Sequence, residues 1–509
     1  MVYNYFLNLN VVRQLTTNRC LILFASFGIG IIYATLIKNN YEYISWLIFA
    51  LLPILFWFWV KDNWQTSFLS GALFGFGVCL FGLNWLYDAG LYFGVEYHWI
   101  ILIISLIYLL ISLLYSFAAI LIYYLFKLTL HKLLFVFGVA SIWFLLSMSH
   151  SHLFGGLPYL QNSYILINTP LSNLSPYVGS IGVDFIIAII SGTILLFFYV
   201  SRRNKSIIVV SFLGFFMLMI KFLPYQFTQE KQDIDVLLMN DRISMQDKQK
   251  RAVITDRIKK YIKISKQKPD VGLIVWPESS IPNNFYNFYK NDLLPLIKQG
   301  LLKNVLLGTY TNDITHELKL SNTILSLADL KQKYNKQHLA PFGEYIPPLL
   351  RDIIYSDVSG DLGEGGNNQK PIKINKAVIA PLICFEILFD RFAMQNAKDS
   401  NLIVALSDLS WFKGGDINIV MDKASRYRAK ENQKFFIRAD NFGNSVVIND
   451  NGKIIKQAKN EKYIQKKIKL KSGLTPYARY HNNPLLLFSI IFLLFVFFLS
   501  LKAIFKKSN

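Results

Sequence analysis

"AVIAPLICFE", residues 377–386, is an apolar run that stops on a thiol, an aromatic ring and a carboxylate. A short continuous apolar run fits a strand buried on both faces. Cys384 near its end has two readings. It fills the core, since free cysteine is among the most buried residue types, or it is a nucleophile. Six similar runs lie around it: "IDVLLMN" (234–240), "VGLIVWPE" (271–278), "NVLLGTYT" (304–311), "SNTILSL" (321–327), "NLIVALSD" (401–408) and "KFFIRAD" (434–440). Helical patterns fall at about 246–266, 288–300 and 417–432. The alternation predicts an α/β sheet domain covered by helices. In such sheets ligands bind beyond the carboxyl ends of the strands, so the polar residues that end these runs are the site candidates.

The rest of the chain is of another kind. Of its 509 residues 53% are hydrophobic and 17% charged, too apolar for an average soluble enzyme. Spans of about 20 apolar residues suffice to cross a bilayer. Eight are expected, near 20–37, 42–60, 67–87, 98–127, 132–149, 178–200, 206–223 and 484–501. The fourth is long enough to be tilted, extended beyond the membrane, or two segments. A cleavable signal peptide is not expected, since many spans follow the first and no clear cleavage site does. The predicted divisions are a membrane domain over 1–223, a catalytic block over 224–483, and a last span with a basic tail over 484–509.

Basic residues set the orientation. Arg13, Arg19, Lys61, Lys127, Lys132, Arg202, Arg203, Lys205, Lys502, Lys506 and Lys507 fall on the side of the termini, while residues 150–177 contain no Lys or Arg. Both termini are therefore expected in the cytoplasm and the catalytic block outside, which in a Gram-negative bacterium is the periplasm. The net charge of +21 comes without a basic helix or stacking motif, so nucleic-acid binding is not expected. The uncharged, aromatic loop 150–177 reads as interfacial. His150 and His152 in it lack an accompanying carboxylate or cysteine and read as interfacial histidines, not a metal pair. "GDLGEGGNN" (360–368) lacks the Lys-Ser/Thr end of a phosphate loop and reads as a mobile surface loop. Cys20 and Cys79 lie in spans, which leaves Cys384 alone in the outward block with no internal disulfide partner.

Three residues at strand ends or in a neighbouring loop form a set: Glu278, Lys336 and Cys384. A thiol is mostly protonated near neutral pH and needs a base or a cation beside it to act as a nucleophile. A carboxylate can take its proton, and an ammonium can stabilise the oxyanion formed at an attacked carbonyl. Each residue also has a plainer reading: Glu278 as a cap or solvated loop residue, Lys336 as one of many surface lysines, Cys384 as core.

Local context separates the readings. "WPES" (276–279), "YNKQHLAPFGEYIP" (334–347) and "PLICFE" (381–386) together resemble the nitrilase superfamily. The middle motif, combined with flanking spans, resembles the apolipoprotein N-acyltransferase family specifically. "GGLPYLQNSYILINTPLSNLSPYVG" (155–179), "SRYRAKEN" (425–432) and "RADNFG" (438–443) are similar to further segments of that family. The resemblance implies an extracytoplasmic αββα sandwich on a polytopic α-helical membrane protein of about eight spans. It implies transfer of an acyl chain from a membrane phospholipid to the α-amino group of a diacylated apolipoprotein in the inner membrane. Carried onto this sequence, Glu278 is the general base, Lys336 the oxyanion donor and Cys384 the thioester carrier. Glu344 and Asn322 match supporting residues, and Phe385 and Glu386 match the aromatic and glutamate after the nucleophile. In "SDLSWF" (407–412) Trp411 and Phe412 fit the family pattern, while Asp408 and Leu409 depart from its Asn-Asp pair; Tyr159 replaces a common tryptophan. A ping-pong reaction, no metal or organic cofactor, and a monomer are expected. The segment 345–368 and the outward loops are candidate lids. The alternatives are a membrane-tethered amidase or nitrilase acting on small C–N substrates, for which one anchor would suffice, and a transporter or scaffold with an inactive domain.

Overall fold

The computed structural model describes residues 18–92, 95–129, 132–199, 214, 225–248, 250–281, 285–312, 319–347, 361–412 and 416–508. Six long apolar helices come first: α1 (Arg19–Ile37), α2 (Ile48–Lys61), α3 (Trp64–Gly82), α4 (Tyr97–Leu128), α5 (Lys132–His152) and α6 (Ser175–Tyr199). A seventh, Asn483–Ser508, ends the chain and packs on α5 and α6 through Phe137, Phe185, Phe488 and Phe492. Among the described residues seven helical segments are long and apolar enough to cross a membrane, the second running over Glu42–Lys61 and so including the turn before α2. They match seven of the eight expected spans; the remaining one, 206–223, lies outside the described residues apart from residue 214. The long fourth span is one continuous helix of 32 residues. At about 1.5 Å per residue it exceeds a hydrocarbon core of about 30 Å and must tilt or project.

Large apolar side chains point outward from these helices, as at Phe24 (75% exposed), Leu133 (62%) and Phe498 (63%). In water such a belt would be costly, and in lipid it is the normal surface. Inside the bundle the helices approach closely at glycine. A Cβ on Gly30 of α1 would lie 2.2 Å from the Phe74 carbonyl oxygen of α3.

The sheet domain begins at β1 (Gln229–Asp241). Then come α7 (Arg251–Lys266), β2 (Leu273–Val275), β3 (Val305–Asn312), β4 (Leu320–Ser326), β5 (Lys333–Asn335), β6 (Ile372–Ile374) and β7 (Ala377–Ile383). The second half holds α8 (Asp390–Ala397), β8 (Leu402–Asp408), α9 (Asp416–Asn432), β9 (Phe436–Asn441), β10 (Val446–Ile448), β11 (Ile454–Gln457) and β12 (Tyr463–Ser472). We label the C-terminal helix α10. One half-sheet runs β5-β4-β3-β2-β1 with β12 beyond; the other runs β9-β8-β7-β6 with β10 and β11 beside β9. The last two residues of β1, Asn240 and Asp241, pair with Asp440 and Asn441 and join the halves.

Side-chain alternation then builds the layers. Val236, Leu238, Val275 and Ile324 meet Ile379, Ile383, Val404 and Ile437 between the half-sheets. The outer face of the first half packs on α7 through Ile254, Ile258 and Tyr261. The outer face of the second half, with Leu382, Ala405 and Phe436, packs on α8 and α9. This is the expected αββα sandwich, with one addition: the last core continues without interruption into the membrane helices. All seven expected strands form. The expected helix at 288–300 is broken into a π-turn (Tyr289–Leu293) and a short helix (Leu294–Lys298) with Pro295 in its first turn.

Helix α9 docks the two parts. Lys423 Nζ donates to the carbonyls of Ile37 and Asn39, both at 2.6 Å, at the end of α1. One turn on, the Tyr427 hydroxyl donates to the Ser163 carbonyl (2.7 Å). Lys430 Nζ donates to Ser172 Oγ (2.6 Å) and Asn173 Oδ1 (2.8 Å), and Glu431 accepts from the Ser180 amide (2.7 Å). These residues recur at helical spacing and so share a face. The outward loop is therefore largely buried beneath α9, with Tyr159, Tyr164 and Leu166 fully inside, where the sequence predicts an interfacial segment. His150 packs on Tyr115 (5.4 Å between rings), while His152 is exposed.

Gly179 interrupts α6 with φ +71° and ψ 176°, a region nearly reserved for glycine. A Cβ there would also lie 2.2 Å from the Tyr477 ring. Gly179→Ala is expected to cost roughly 1–3 kcal/mol and to lower the thermal unfolding midpoint of the detergent-purified full chain. An unchanged midpoint would contradict the strain assigned to this kink.

Candidate active site

The strands bring their polar ends together. Beyond β2 the chain runs through Trp276, whose indole donates to Ser265 Oγ (3.2 Å), to Glu278. Gly308 on β3 makes room for it: a Cβ there would lie 2.6 Å from Glu278 Cα. Glycine within "NVLLGTYT" is the sequence signal of such an approach. Arg257 of α7 then fixes the turn by donating to the carbonyls of Ser279 and Ser280, both at 2.8 Å.

Asn322 on β4 links two carboxylates. Its Nδ2 donates to Glu278 Oε1 (2.7 Å) and to Glu344 Oε1 (3.0 Å). Glu344 Oε2 accepts from the Ala340 amide (2.7 Å) and pairs with Lys336 Nζ (2.7 Å). Lys336 is buried and its backbone amide donates to the Asn322 carbonyl (2.8 Å). Burial opposes its ammonium, but Glu344 and Glu278 outweigh that and hold the lysine well above its usual range. It stands as a cation and a hydrogen-bond donor.

Cys384 follows β7 directly. Its φ of +46° places it in the left-handed region, where a non-glycine residue is strained. A short 3-10 turn (Cys384–Leu388) begins at it. Glu386 in that turn holds the arrangement. Its Oε2 accepts from the Ile383 amide (2.8 Å), and its Oε1 accepts from the Tyr334 hydroxyl (2.9 Å) and the amides of Gln337 (2.7 Å) and His338 (3.2 Å). The thiol loop and the Lys336 loop are thus tied to one carboxylate.

Electrostatics assign the protons. Burial, then the Glu278 charge, pushes the Cys384 thiol well up, and Lys336 only partly offsets this. The resting thiol is neutral and needs a base. Burial also raises Glu278 above the usual carboxylate range, against the pull of Lys336. Its Oε2 has no hydrogen-bond partner among the described residues and stands ready for a proton. A neutral thiol, a desolvated carboxylate and a fixed ammonium can together carry acyl transfer through a thioester.

An aromatic wall stands beside the thiol. Phe385 stacks on His338 (5.7 Å, 9° between planes), and Phe389 packs edge-on against both. Burial, then Arg391, pushes His338 down to about 4, so its ring is neutral. The membrane domain reaches this wall: a Cβ on Gly156 would lie 2.7 Å from the Phe389 ring. Trp411 and Phe412 follow β8, and Phe412 packs edge-on against Trp85 just beyond α3 (5.1 Å). The network described above thus contains Glu278, Lys336, Cys384, Glu344, Asn322 and Glu386, with Phe385 beside it; Trp411 lies in the neighbouring loop. The stretch 361–368 does not behave as a free surface loop. The Gly365 amide donates to the Lys336 carbonyl (2.7 Å) and the Leu362 amide to that of Glu344 (2.9 Å). The rest of the candidate lid, 348–360, lies outside the described residues.

General-base action requires ionised Glu278, so thiol acylation should fall as pH drops through its raised pKa. The acidic limb of single-turnover acylation is expected above the ordinary glutamate value of about 4.3. A limb at or below that value would remove burial as the force on Glu278.

Residues 29–193 match the family model described as Apolipoprotein N-acyltransferase N-terminal domain, and residues 245–473 match that for Carbon-nitrogen hydrolase. The chain is 31% identical over 468 residues to an apolipoprotein N-acyltransferase of Wigglesworthia glossinidia brevipalpis, covering 88% of this chain and 92% of the relative. It is 28% identical over 467 residues to one of Coxiella burnetii, covering 89% and 95% respectively. With one of Pasteurella multocida it shares 28% identity over 495 residues, covering 91% and 92%.

Proposed function

Because the chain belongs to the apolipoprotein N-acyltransferase family, we propose that it moves a fatty acyl chain from a membrane phospholipid to the α-amino group of a diacylglyceryl-cysteine, through a thioester on Cys384. One observation carries the reading: Asn322, Glu344 and Glu386 tie a base carboxylate, an ammonium and a strained thiol into one buried network.

In the first half-reaction Glu278 takes the thiol proton as sulfur attacks the ester carbonyl. The oxyanion forms beside the Lys336 ammonium. The intermediate collapses with loss of the lysophospholipid alkoxide, which recovers the proton from Glu278. In the second half the neutral α-amine attacks the thioester, Glu278 accepts its proton, and the departing thiolate is reprotonated. An ester and an amine become an amide and an alcohol. The amine, with an ordinary pKa near 8, is partly neutral at pH 7 and needs no special activation to enter.

The membrane frame suits this chemistry. Drawing an acyl chain into water costs about 0.8 kcal/mol per CH₂. A site mounted beside the bilayer, with Phe412 of the sheet domain packed on Trp85 of the membrane domain, avoids that cost. The basic residues favour cytoplasmic termini and a periplasmic catalytic block in the inner membrane, with divisions at 223/224 and 483/484.

The full chain in phospholipid vesicles, given a phospholipid with a labelled acyl chain and a diacylated lipopeptide, should label the peptide. Hydrolysis of small amides without lipid transfer would instead favour the tethered amidase. Cys384→Ala should abolish the labelled acyl-enzyme; its persistence would sink the thioester route. Lys336→Ala should slow acylation roughly 10²–10³-fold, the scale of losing one oxyanion donor. Near-normal acylation would remove Lys336 from that role.

A further inference from the structure

A second lysine stands at the same end of the sheets, and no step above uses it. Lys248 ends the short helical turn (Met245–Lys248) after β1, and its Nζ is ion-paired with Asp408 Oδ2; the two side chains are only 11% and 3% exposed. Nζ also donates to Ser410 Oγ (3.3 Å). Asp408 is itself fixed. Its Oδ1 accepts from Asn441 Nδ2 (2.9 Å), Ser410 Oγ (2.6 Å) and the Ser410 amide (3.1 Å). Strands β7 and β8 are parallel neighbours with Ile383 opposite Leu406, so Asp408 and Cys384 emerge side by side at their carboxyl ends. Asp408 is also where "SDLSWF" leaves the family pattern.

Burying an ammonium is costly unless it is paired, so a cation retained here has to be accounted for. The charges that act on Lys248 come from five elements. Asp408 ends β8 and Asp440, paired with Arg438, lies on β9; Glu278 follows β2, Cys384 follows β7, and Arg257 on α7 opposes them. Burial first, then Arg257, draws the lysine down to about 7, while Glu278, Asp440 and Cys384 favour its charged form. By reciprocity its ammonium favours the anionic forms of Glu278 and Cys384. Around Glu278 the other charges are Lys336 and Glu344.

We propose that the Lys248–Asp408 pair is a positioning element of acyl transfer, in which an ammonium held by Asp408 biases Glu278 and Cys384 toward their anionic forms and sets the pH range of thiol activation. The pair works as a charge, not as a brace. The inference rests on Glu278 as base, and Glu278→Gln separates the two claims: a persisting acidic limb in that variant would refute the base itself.

The test is single-turnover acylation of the full chain in phosphatidylethanolamine–phosphatidylglycerol vesicles carrying a fluorescent-acyl phospholipid, from pH 5 to 9. Lys248→Met removes the cation and should move the acidic limb to higher pH, since the lost ammonium favours ionised Glu278. Asp408→Asn keeps the oxygen bound by Asn441 and Ser410 but removes the anion that holds the ammonium, and should also move the limb up. Lys248→Arg should leave it in place. Thermal unfolding midpoints identify folded variants, and Asp408→Asn supplies the result if Lys248→Met does not fold. Upward shifts in both, with Lys248→Arg unmoved, support the proposal. A downward shift, or an unmoved limb in a folded Lys248→Met or Asp408→Asn variant, overturns it and reduces the pair to a structural tie.

Discussion

One buried carboxylate with four donors keeps the site assembled. Glu386 receives amides from both sides of the active centre, one from the end of β7 and two from the loop that carries Lys336. A buried carboxylate is tolerable only when its oxygens are satisfied, so the two loops are held wherever Glu386 is. Burial raises its pKa to about 7, and the Ile383 amide is the first group to oppose that rise. Strain at Cys384 depends on the same contact. A left-handed non-glycine residue persists only where its surroundings over-determine it, and the capping of the Cys384 turn by Glu386 does this. The Cys384 thiol and the Lys336 ammonium are therefore one mechanical unit.

That unit is mounted on the membrane through α9. Lys423, Tyr427, Lys430 and Glu431 lie on one face and bind carbonyls, hydroxyls and amides of the outward loops. Below, Asp184 of α6 accepts from the Ser163 amide (2.6 Å) and from Ser147 Oγ (2.7 Å), so the loop at Ser163 is held from both sides. Apolar contact alone would permit sliding. Directional hydrogen bonds in a dry interface fix the register, since any shift strands buried polar groups. The aromatic wall at Phe389 can then face the Gly156 turn at one set distance.

Much of this was readable in the residues, and the unread part has physical causes. Strands with continuous apolar runs, such as β7 and β8, announce themselves, and so do the polar residues that end them. β12 does not: "YIQKKIKLKS" buries Ile464, Ile468 and Leu470 between lysines, and its charge masks the alternation. The gathering of Glu278, Lys336 and Cys384 at one end of the sheets was legible through strand ends and motif together. The work of Glu386 was not, because it depends on a loop 50 residues away lying over β7. Lys248 sits in a polar segment that looks solvent-facing, and only the end of β8 folded against it reveals a buried pair. The outward loop is aromatic and uncharged because α9 covers it, a cause that composition cannot separate from contact with lipid.

The pairing of β1 with β12 has a consequence of its own. Gln229 lies opposite Ser472, so the first and last strands of the sheet domain run side by side. The two ends of the sheet domain therefore lie together, like a bead strung on a closed loop of thread. One edge of its first strand lacks a neighbour until the last has been made. During synthesis the sheet therefore stays open until about 240 residues of it have emerged, counted from 229 to 472. Closure of the sheet and arrival of α10, only eleven residues after Ser472, become nearly one event. Anchoring at both ends is thus a timing device for folding as well as a way of holding a lipid-handling site at the surface.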